Sequence, residues 1–580
     1  MANLSQIKRE QMIAFLEKLK EQHSDDESLI AFNQIENELT SKKYGLVWEE
    51  HEENVDMMMQ TKIPVFTEVP EKAVMGKADD SACNFLLEGD NLHSLKLLEK
   101  THKGHIDIIY IDPPYNTRKS GEDESGSFIY DDKIVDGNDL FAHSKWLSFM
   151  HSRLSIAKRL LKRDGIIFIS IGKEEVAQLR LLCDEIFGED NLLGQVVRRT
   201  KTTSFRGNYF ALRLDYILVY ANDASKIKKF ADRVDISDYK KVETEGKYAG
   251  EKYKDDTAFY LSTLETRPNQ RYFIECPDGE LVIPPGNTLP QDKTDGQKCV
   301  PDAKDGVWRW EVEQYKQKKY YLSFKKSKQS PLLNQDGDKA SWNVYTKSYY
   351  CEKKDDGNIP TELFLDFINR NGTEELKGMG ISFSFPKPSE LIKYLIEITN
   401  KPKDITVLDF FAGSGTTGQA VLRLNQEDSG TRKFILCTNN ENNICEEITL
   451  PRLKTVITGQ KKDGTKYSSG IPSNLLYYRT DFVDKKNEEI TNDLLGHISE
   501  MIQLQYGVRL DGQKYVMIMD DDEMDTFEKN IDSHNGVEAV FVSQDVLLSA
   551  SQEKMLNGIN VFMIPDCYFD FELREAGELW

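Results

Sequence analysis

The stretch HIDIIYIDPPYNT (residues 105–117) decides the fold. Apart from Asp107, its run from Ile106 to Ile111 is β-branched and aromatic, the composition of a strand covered on both faces. Pro113 and Pro114 end it abruptly, because proline has no N–H to donate and biases the residue before it away from helix. In an open α/β sheet, ligands gather at the C-terminal ends of such strands.

Upstream, NFLLEGDNLHSLKLLEK (84–100) predicts a short apolar strand, a Gly-Asp turn and an amphipathic helix. Downstream come a helical stretch over 140–163, the strand GIIFISI (165–171), a helix over about 173–187, and YILVY (216–220). Strands alternating with helices predict a parallel α/β sheet. The rhythm is lost from about 198 to 375, where Lys, Tyr, Trp, Asp and Gly dominate. It returns with PKPSELIKYLIEIT (386–399), ITVLDFF (405–411) and KFILCTN (433–439). The expected organisation is a helical region over 1–60, the two halves of one α/β domain at 61–197 and 376–486, a module at 198–375 inserted between them, and a small α/β unit at 487–580. Within the first region, Met12, Phe15, Leu16 and Leu19 follow a helical spacing. KYVMIMD, AVFVSQD and VFMIPD supply the strands of the last.

The 580 residues carry 97 acids and 75 bases, a net of −22 that alone argues against coating nucleic acid by bulk charge. The ends account for all of it: −7 in residues 1–60 and −15 in 487–580, with 64 acids and 64 bases between them. Residues 198–350 hold 28 bases against 22 acids, so a basic insert between acidic ends reopens the question. No apolar run approaches the ~18–20 residues of a membrane span, and MANLSQIKREQMIAFLEKL has no secretory h-region. The eight cysteines form no CxxC pair and no zinc spacing, so reduced thiols, no metal and a cytoplasmic location are expected.

Two motifs carry chemistry. In Asp112-Pro113-Pro114-Tyr115, a carboxylate and the Pro113 carbonyl can both accept from one amino group, and Tyr115 offers a flat ring for stacking. That set suits a planar amino-substituted base turned out of its helix. In Asp409-Phe410-Phe411-Ala412-Gly413-Ser414-Gly415-Thr416, the glycines permit a tight turn and the following helix N-terminus offers free N–H groups to a carboxylate. The loop lacks both GxxxxGK[ST] and a full GxGxxG, and suits an amino-acid carboxylate better than a pyrophosphate. Glu441, 28 residues past Gly413, stands where a ribose hydroxyl would be held.

With these motifs in this order, the chain resembles a β-group DNA adenine methyltransferase, and more closely the modification (Mod) subunit of type III restriction-modification systems. LLEGDNLHSLKLL, IDIIYIDPPYNT, LDYILVYA, TRPNQRYF, DGVWRW, FSFPKPSELIKYL, LDFFAGSGTTGQAV and FILCTNNENNICEEITLPRL carry the resemblance. It implies a Rossmann-like S-adenosylmethionine-dependent methyltransferase sheet, circularly permuted so that DPPY precedes FxGxG, with an inserted target-recognition domain. It implies catalytic Asp112, Pro113, Pro114 and Tyr115. Cofactor contacts would come from Asp90, Phe385, Lys387, Asp409, Phe411, Gly413, Gly415, Thr416 and Glu441, with the Lys387 element at the cofactor's methionine end. Implied partners are duplex DNA, a second copy of the chain and a Res-type helicase-nuclease.

The implied reaction is methyl transfer to the exocyclic nitrogen of adenine, made nucleophilic by acceptors at Asp112 and Pro113. The 307–329 stretch interleaves Arg309, Lys316, Lys318, Lys319, Lys325 and Lys326 with Trp and Tyr, and is the expected DNA-contacting surface. Cytosine amino methylation, a recognition subunit that mainly recruits a nuclease, and methylation of RNA or a protein amide are the competing readings.

Overall fold

The computed structural model describes residues 4–22, 26–40, 48–76, 82–117, 129–130, 133–134, 139, 141–203, 209–261, 267–354, 357–534, 536–565 and 568–576. The chain divides into two compact units. One comprises residues 1–228, 361–396 and 401–580, the other 229–360 and 397–400.

Among the described residues, eleven strands of the first unit form one sheet. They are β1 (Lys62–Glu68), β2 (Val74–Met75), β3 (Cys83–Glu88), β4 (Ile106–Ile111), β5 (Leu161–Ile171), β6 (Leu192–Arg199), β7 (Leu214–Ala221), β8 (Leu363–Phe364), β9 (Thr406–Asp409), β10 (Lys433–Thr438) and β11 (Asn474–Asp484). The order across the sheet is β1–β11–β3–β10–β9–β4–β5–β7–β6–β8, with β2 beside β11. From β11 to β5 every pairing is parallel, whereas β5–β7, β6–β7 and β1–β11 are antiparallel. The sheet is therefore mixed, not wholly parallel as the alternation suggested.

The helices α1 (Leu4–Gln22) and α2 (Asp26–Thr40) precede the sheet, followed by α3 (Asn91–His102), α4 (Ala142–Leu160), α5 (Val176–Phe187), α6 (Asn369–Met379), α7 (Ser389–Ile398), α8 (Thr416–Asp428), α9 (Leu450–Thr458) and α10 (Ile498–Tyr506). Strand β4 is buried along its whole length, as its apolar run requires. Trp146, Met150 and Leu154 of α4 recur at helical spacing and join Ile109 and Ile111 in the main core. In α1 only part of the expected stripe is covered: Leu16 is buried, while Met12 and Phe15 are exposed.

Two boundaries need correction. Residues 192–221 were assigned across the edge of the insert at 198, but β6 and β7 pair over their lengths and belong to the main sheet. Residues 361–375 likewise return to the first unit, so the second spans 229–360. That unit is built on small antiparallel sheets, chiefly Lys252–Ala258, Trp342–Tyr349 and Leu322–Lys326, over a core containing Phe259, Tyr272, Trp308 and Tyr315. The acidic tail has its own parallel sheet of β12 (Tyr515–Ile518), β13 (Ala539–Val542) and β14 (Asn560–Met563). It forms no separate body: Phe541 and Phe569 join the main core alongside Met501 of α10.

Ile109 is fully buried at the centre of the sheet, and a small substitute leaves a cavity no neighbour can fill. Ile109→Ala is expected to lower stability by about 2–5 kcal/mol in chemical denaturation of the main transition. A loss below about 0.5 kcal/mol would show that β4 is not the packed centre.

Candidate active site

Asp112 leaves the end of β4 at the edge where the Gly loop leaves β9. The two strands pair in parallel through Val407–Ile108 and Leu408–Ile109. Between them lies a cavity of about 360 Å³, lined by Glu53, Asp90, Asn91, Asp112, Pro114, Phe149, Phe410, Phe411, Gly413, Thr438, Glu441 and Ile444, among others. Its size falls in the range of pockets for small organic ligands.

The DPPY turn is held from several sides. Trp146 Nε1 donates to the Pro114 carbonyl at 2.8 Å. Asn116, at φ 52°, donates to Glu175, which also contacts His143 Nδ1 at 2.6 Å. Tyr115 packs so close to Gly172 that a Cβ there would lie 2.8 Å from the ring. Lys387 Nζ donates to both Asp112 oxygens at 2.6 Å and to the Tyr115 hydroxyl at 2.9 Å, with only 8% of its side chain exposed. The Lys387 backbone is fixed as well. A Cβ on Gly372 of α6 would lie 2.7 Å from its carbonyl, and that carbonyl accepts from Thr416 Oγ1.

The Gly loop turns through Gly413 (φ 48°) and Gly415 (φ 76°), a left-handed conformation that side chains disfavour. At Gly415 a Cβ would also press on Thr449 at 3.1 Å, whereas at Gly413 the nearest atom is 3.8 Å away. Arg452, fully buried, donates to Ser414 Oγ (2.9 Å), Thr416 Oγ1 (2.7 Å), Gln419 (2.7 Å) and Glu375 (3.1 Å). Burial pulls its guanidinium down to about 10. On the other side Asp90 caps α3 by accepting from Leu92 N at 2.7 Å. Arg153, also fully buried, ties Asn91, Glu53 and Asp90 together, and Asn91 donates to the Phe410 carbonyl.

Of the residues expected from sequence, Asp112, Pro114, Asp90, Phe411, Gly413 and Glu441 line one cavity. Asp409, Gly415 and Thr416 do not line it; Asp409 accepts from Phe411 N and Thr417, and Thr416 from Arg452, within the loop. Phe385 does not line it: its side chain is 65% exposed at φ 59°. Lys387 meets the Asp112 carboxylate instead of lining the cavity. Glu53, Phe149 and Ile444 were missed. They come from three distant segments, and no local spacing marks them.

The expected DNA-contacting residues lie in the second unit, and their charge is largely met there. Lys316 pairs with Glu313 (3.8 Å), Lys319 with Asp295 (2.8 Å), Lys325 with Asp255 (3.0 Å) and Lys326 with Asp278 (3.6 Å). Arg309 Nε donates to the Ala258 carbonyl, and Lys318 ends a short helix, Val312–Lys318. Trp308 and Tyr315 are core residues. With the boundaries corrected, residues 229–360 hold 23 bases and 23 acids, so the insert is neutral. The basic excess sits in 198–228, with 7 bases and 2 acids. No cluster of three or more His, Cys, Asp or Glu that could hold a metal occurs among the described residues, and no helix there is long and apolar enough to cross a membrane.

Burial pushes the Asp409 carboxyl up to about 7, and the nearby Asp112 carboxylate adds to the rise against donors from Thr417 and Phe411. An acid raised by folding keeps its proton in the folded state after the unfolded chain, near pH 4, has lost it. Stability from this group is therefore lost as pH rises from about 4 to about 7 and is level above that. The melting temperature of Asp409→Asn relative to the parent should rise over that window and then flatten. A constant difference from pH 4.5 to 8 would contradict it.

Comparison with known proteins adds family to geometry. The family model described as DNA methylase matches residues 106–449. The Mod subunit of the type III restriction-modification enzyme EcoPI of Escherichia phage P1 is 30% identical over 453 residues, covering 70% of this chain and 65% of that protein. The StyLTI Mod subunit of Salmonella typhimurium is 32% identical over 61% of this chain and 52% of its own length. The chain thus spans about half to two thirds of these relatives. The type II methyltransferase M.KpnI of Klebsiella pneumoniae is 33% identical over 71% of this chain and 91% of its own length. Matched over more than half its length by the family model, and over nearly the whole of one relative, the chain belongs to the DNA methylase family.

Proposed function

We propose that this chain transfers a methyl group from S-adenosylmethionine to the exocyclic amino nitrogen of adenine in duplex DNA. We further propose that it acts in the cytoplasm as the modification and specificity subunit of a type III restriction-modification system, as a homodimer beside a Res-type partner. The observation that carries the reading is the one cavity that Asp112, Pro114, Asp90, Gly413 and Glu441 line together. The Mod and M.KpnI relatives support the substrate class and the system.

The donor set fits the cofactor. Gly413 leaves open the space a Cβ would take, at the wall of the cavity. Glu441 and Asp90 offer acceptors for hydroxyl and amino groups, while Phe411, Phe149 and Ile444 offer apolar walls. When bound, the cofactor supplies an electrophilic methyl group.

The chain's own residues supply the rest. The adenine amino lone pair is conjugated into the ring, so Asp112 and the Pro113 carbonyl are assigned to accept its two N–H groups and to localise the pair on nitrogen. They also stabilise the positive charge that develops there. Tyr115 is assigned to stack on the base once it is turned out of the duplex. Lys387 is assigned to the carboxylate and not to the cofactor. One ammonium held against both Asp112 oxygens and the Tyr115 hydroxyl fixes acceptor and stacking ring together before the base arrives.

Asp112→Ala should abolish methylation in single-molecule methylation sequencing of DNA from expressing cells, with cofactor binding retained. Substantial adenine methylation by that variant would rule out the assignment. Lys387→Met should lower kcat about 100-fold with the Kd for cofactor within about twofold of the parent, as misplacement of one catalytic group predicts. Weakened cofactor binding with kcat preserved would return Lys387 to the cofactor.

A further inference from the structure

Lys201 and Arg213 flank the most exposed aromatic side chains on the connection between β6 and β7, and none of these is used above. Strand β6 ends at Arg199 and β7 begins at Leu214, paired with each other. Because Ile171 at the end of β5 pairs with Tyr216, the connection between β6 and β7 leaves the sheet at the same edge as Asp112. Its base is closed: Thr200 N and Oγ1 both donate to the Arg213 carbonyl, at 2.7 and 3.0 Å. Beyond that closure Tyr209 is 93% and Phe210 86% exposed, the highest values for large apolar side chains among the described residues. Lys201 and Arg213 are exposed beside them. Of the local acids, Asp215 is buried against Arg198 and Asp223 caps its own turn, so neither offsets these cations at the surface.

Two adjacent rings held in water at a catalytic edge are costly to leave uncovered. The flanking cations favour a polyanion with stacking faces as what covers them, although Asp366 is exposed on the neighbouring segment that bonds Arg199 and Thr200. We propose that Lys201, Tyr209, Phe210 and Arg213 form a duplex-DNA contact beside the target base, the cations on phosphates and the rings against bases. This rests on the reading of the chain as a DNA methyltransferase and assigns part of the DNA surface to the catalytic unit, where the sequence had assigned it to the insert. The chemistry is that of other strand-binding grooves, in which aromatic stacking is sequence-tolerant and phosphate contacts set the salt dependence.

The test measures the Kd for a duplex carrying the target sequence against salt, together with methyl transfer, cofactor binding and oligomeric state, for the full chain. Lys201→Ala/Arg213→Ala should flatten the slope of log K against log salt by about 1.8, two phosphate contacts' worth. Tyr209→Ala/Phe210→Ala should raise Kd about tenfold or more with the slope unchanged. Both variants should bind cofactor as the parent does. If the parent methylates DNA and both variants bind duplex with its Kd and slope, the surface is overturned. If Tyr209→Ala/Phe210→Ala changes only the oligomeric state, the rings belong to a protein interface and the proposal is equally overturned. If the parent neither binds nor methylates DNA, the reading of the enzyme fails first.

Discussion

The parallel pairing of β4 with β9 is the constraint on which the rest depends. Val407 beside Ile108 and Leu408 beside Ile109 bring together segments separated by about three hundred residues of chain. Because the strands run the same way, both release their following loops at one edge, the edge where open α/β sheets collect ligands. A one-residue slip would turn every side chain of one strand to the opposite face, so burial on both sides fixes the register. Asp112 and Gly413 come to line one cavity because the buried hydrophobic content of the two strands fixes their pairing.

The loops so placed are held by buried charge. Arg452 braces the Gly loop from below and Arg153 ties the Asp90 turn to Glu53, each fully buried and each making several hydrogen bonds. Buried charges of this kind add little net stability, but removing one partner strands the other, so they enforce a single loop geometry. Lys387 extends the same logic to the Asp112 carboxylate.

Much of this was legible in the sequence because it is written locally. An apolar run stopped by two prolines gave β4, and a glycine turn between a strand and an amphipathic stretch gave β9 and α8. What was illegible depends on tertiary contact. Glu53, Phe149 and Ile444 reach the cavity from three segments with no spacing in common. Lys387 sits in a recognisable PKP element, but its partner across the sheet edge is 275 residues away. The boundary at 198 failed for a physical reason: β7 is antiparallel to β6, with no helix among the described residues between them, so the α/β rhythm had already stopped inside the sheet. That boundary put the basic excess of 198–228 into the insert, when it belongs to the first unit.

With acidic ends and a neutral insert, the excess of 7 bases over 2 acids in 198–228 falls in the first unit. Geometry and family both support the proposed amino methylation of a base in duplex DNA. The most direct measurement incubates the purified chain with duplex DNA and S-adenosylmethionine bearing a deuterated methyl group, then digests the DNA to nucleosides for mass spectrometry. The account predicts label on N6-methyladenine and on no other nucleoside. Label on cytosine, or DNA recovered without label while the cofactor is bound, would contradict it.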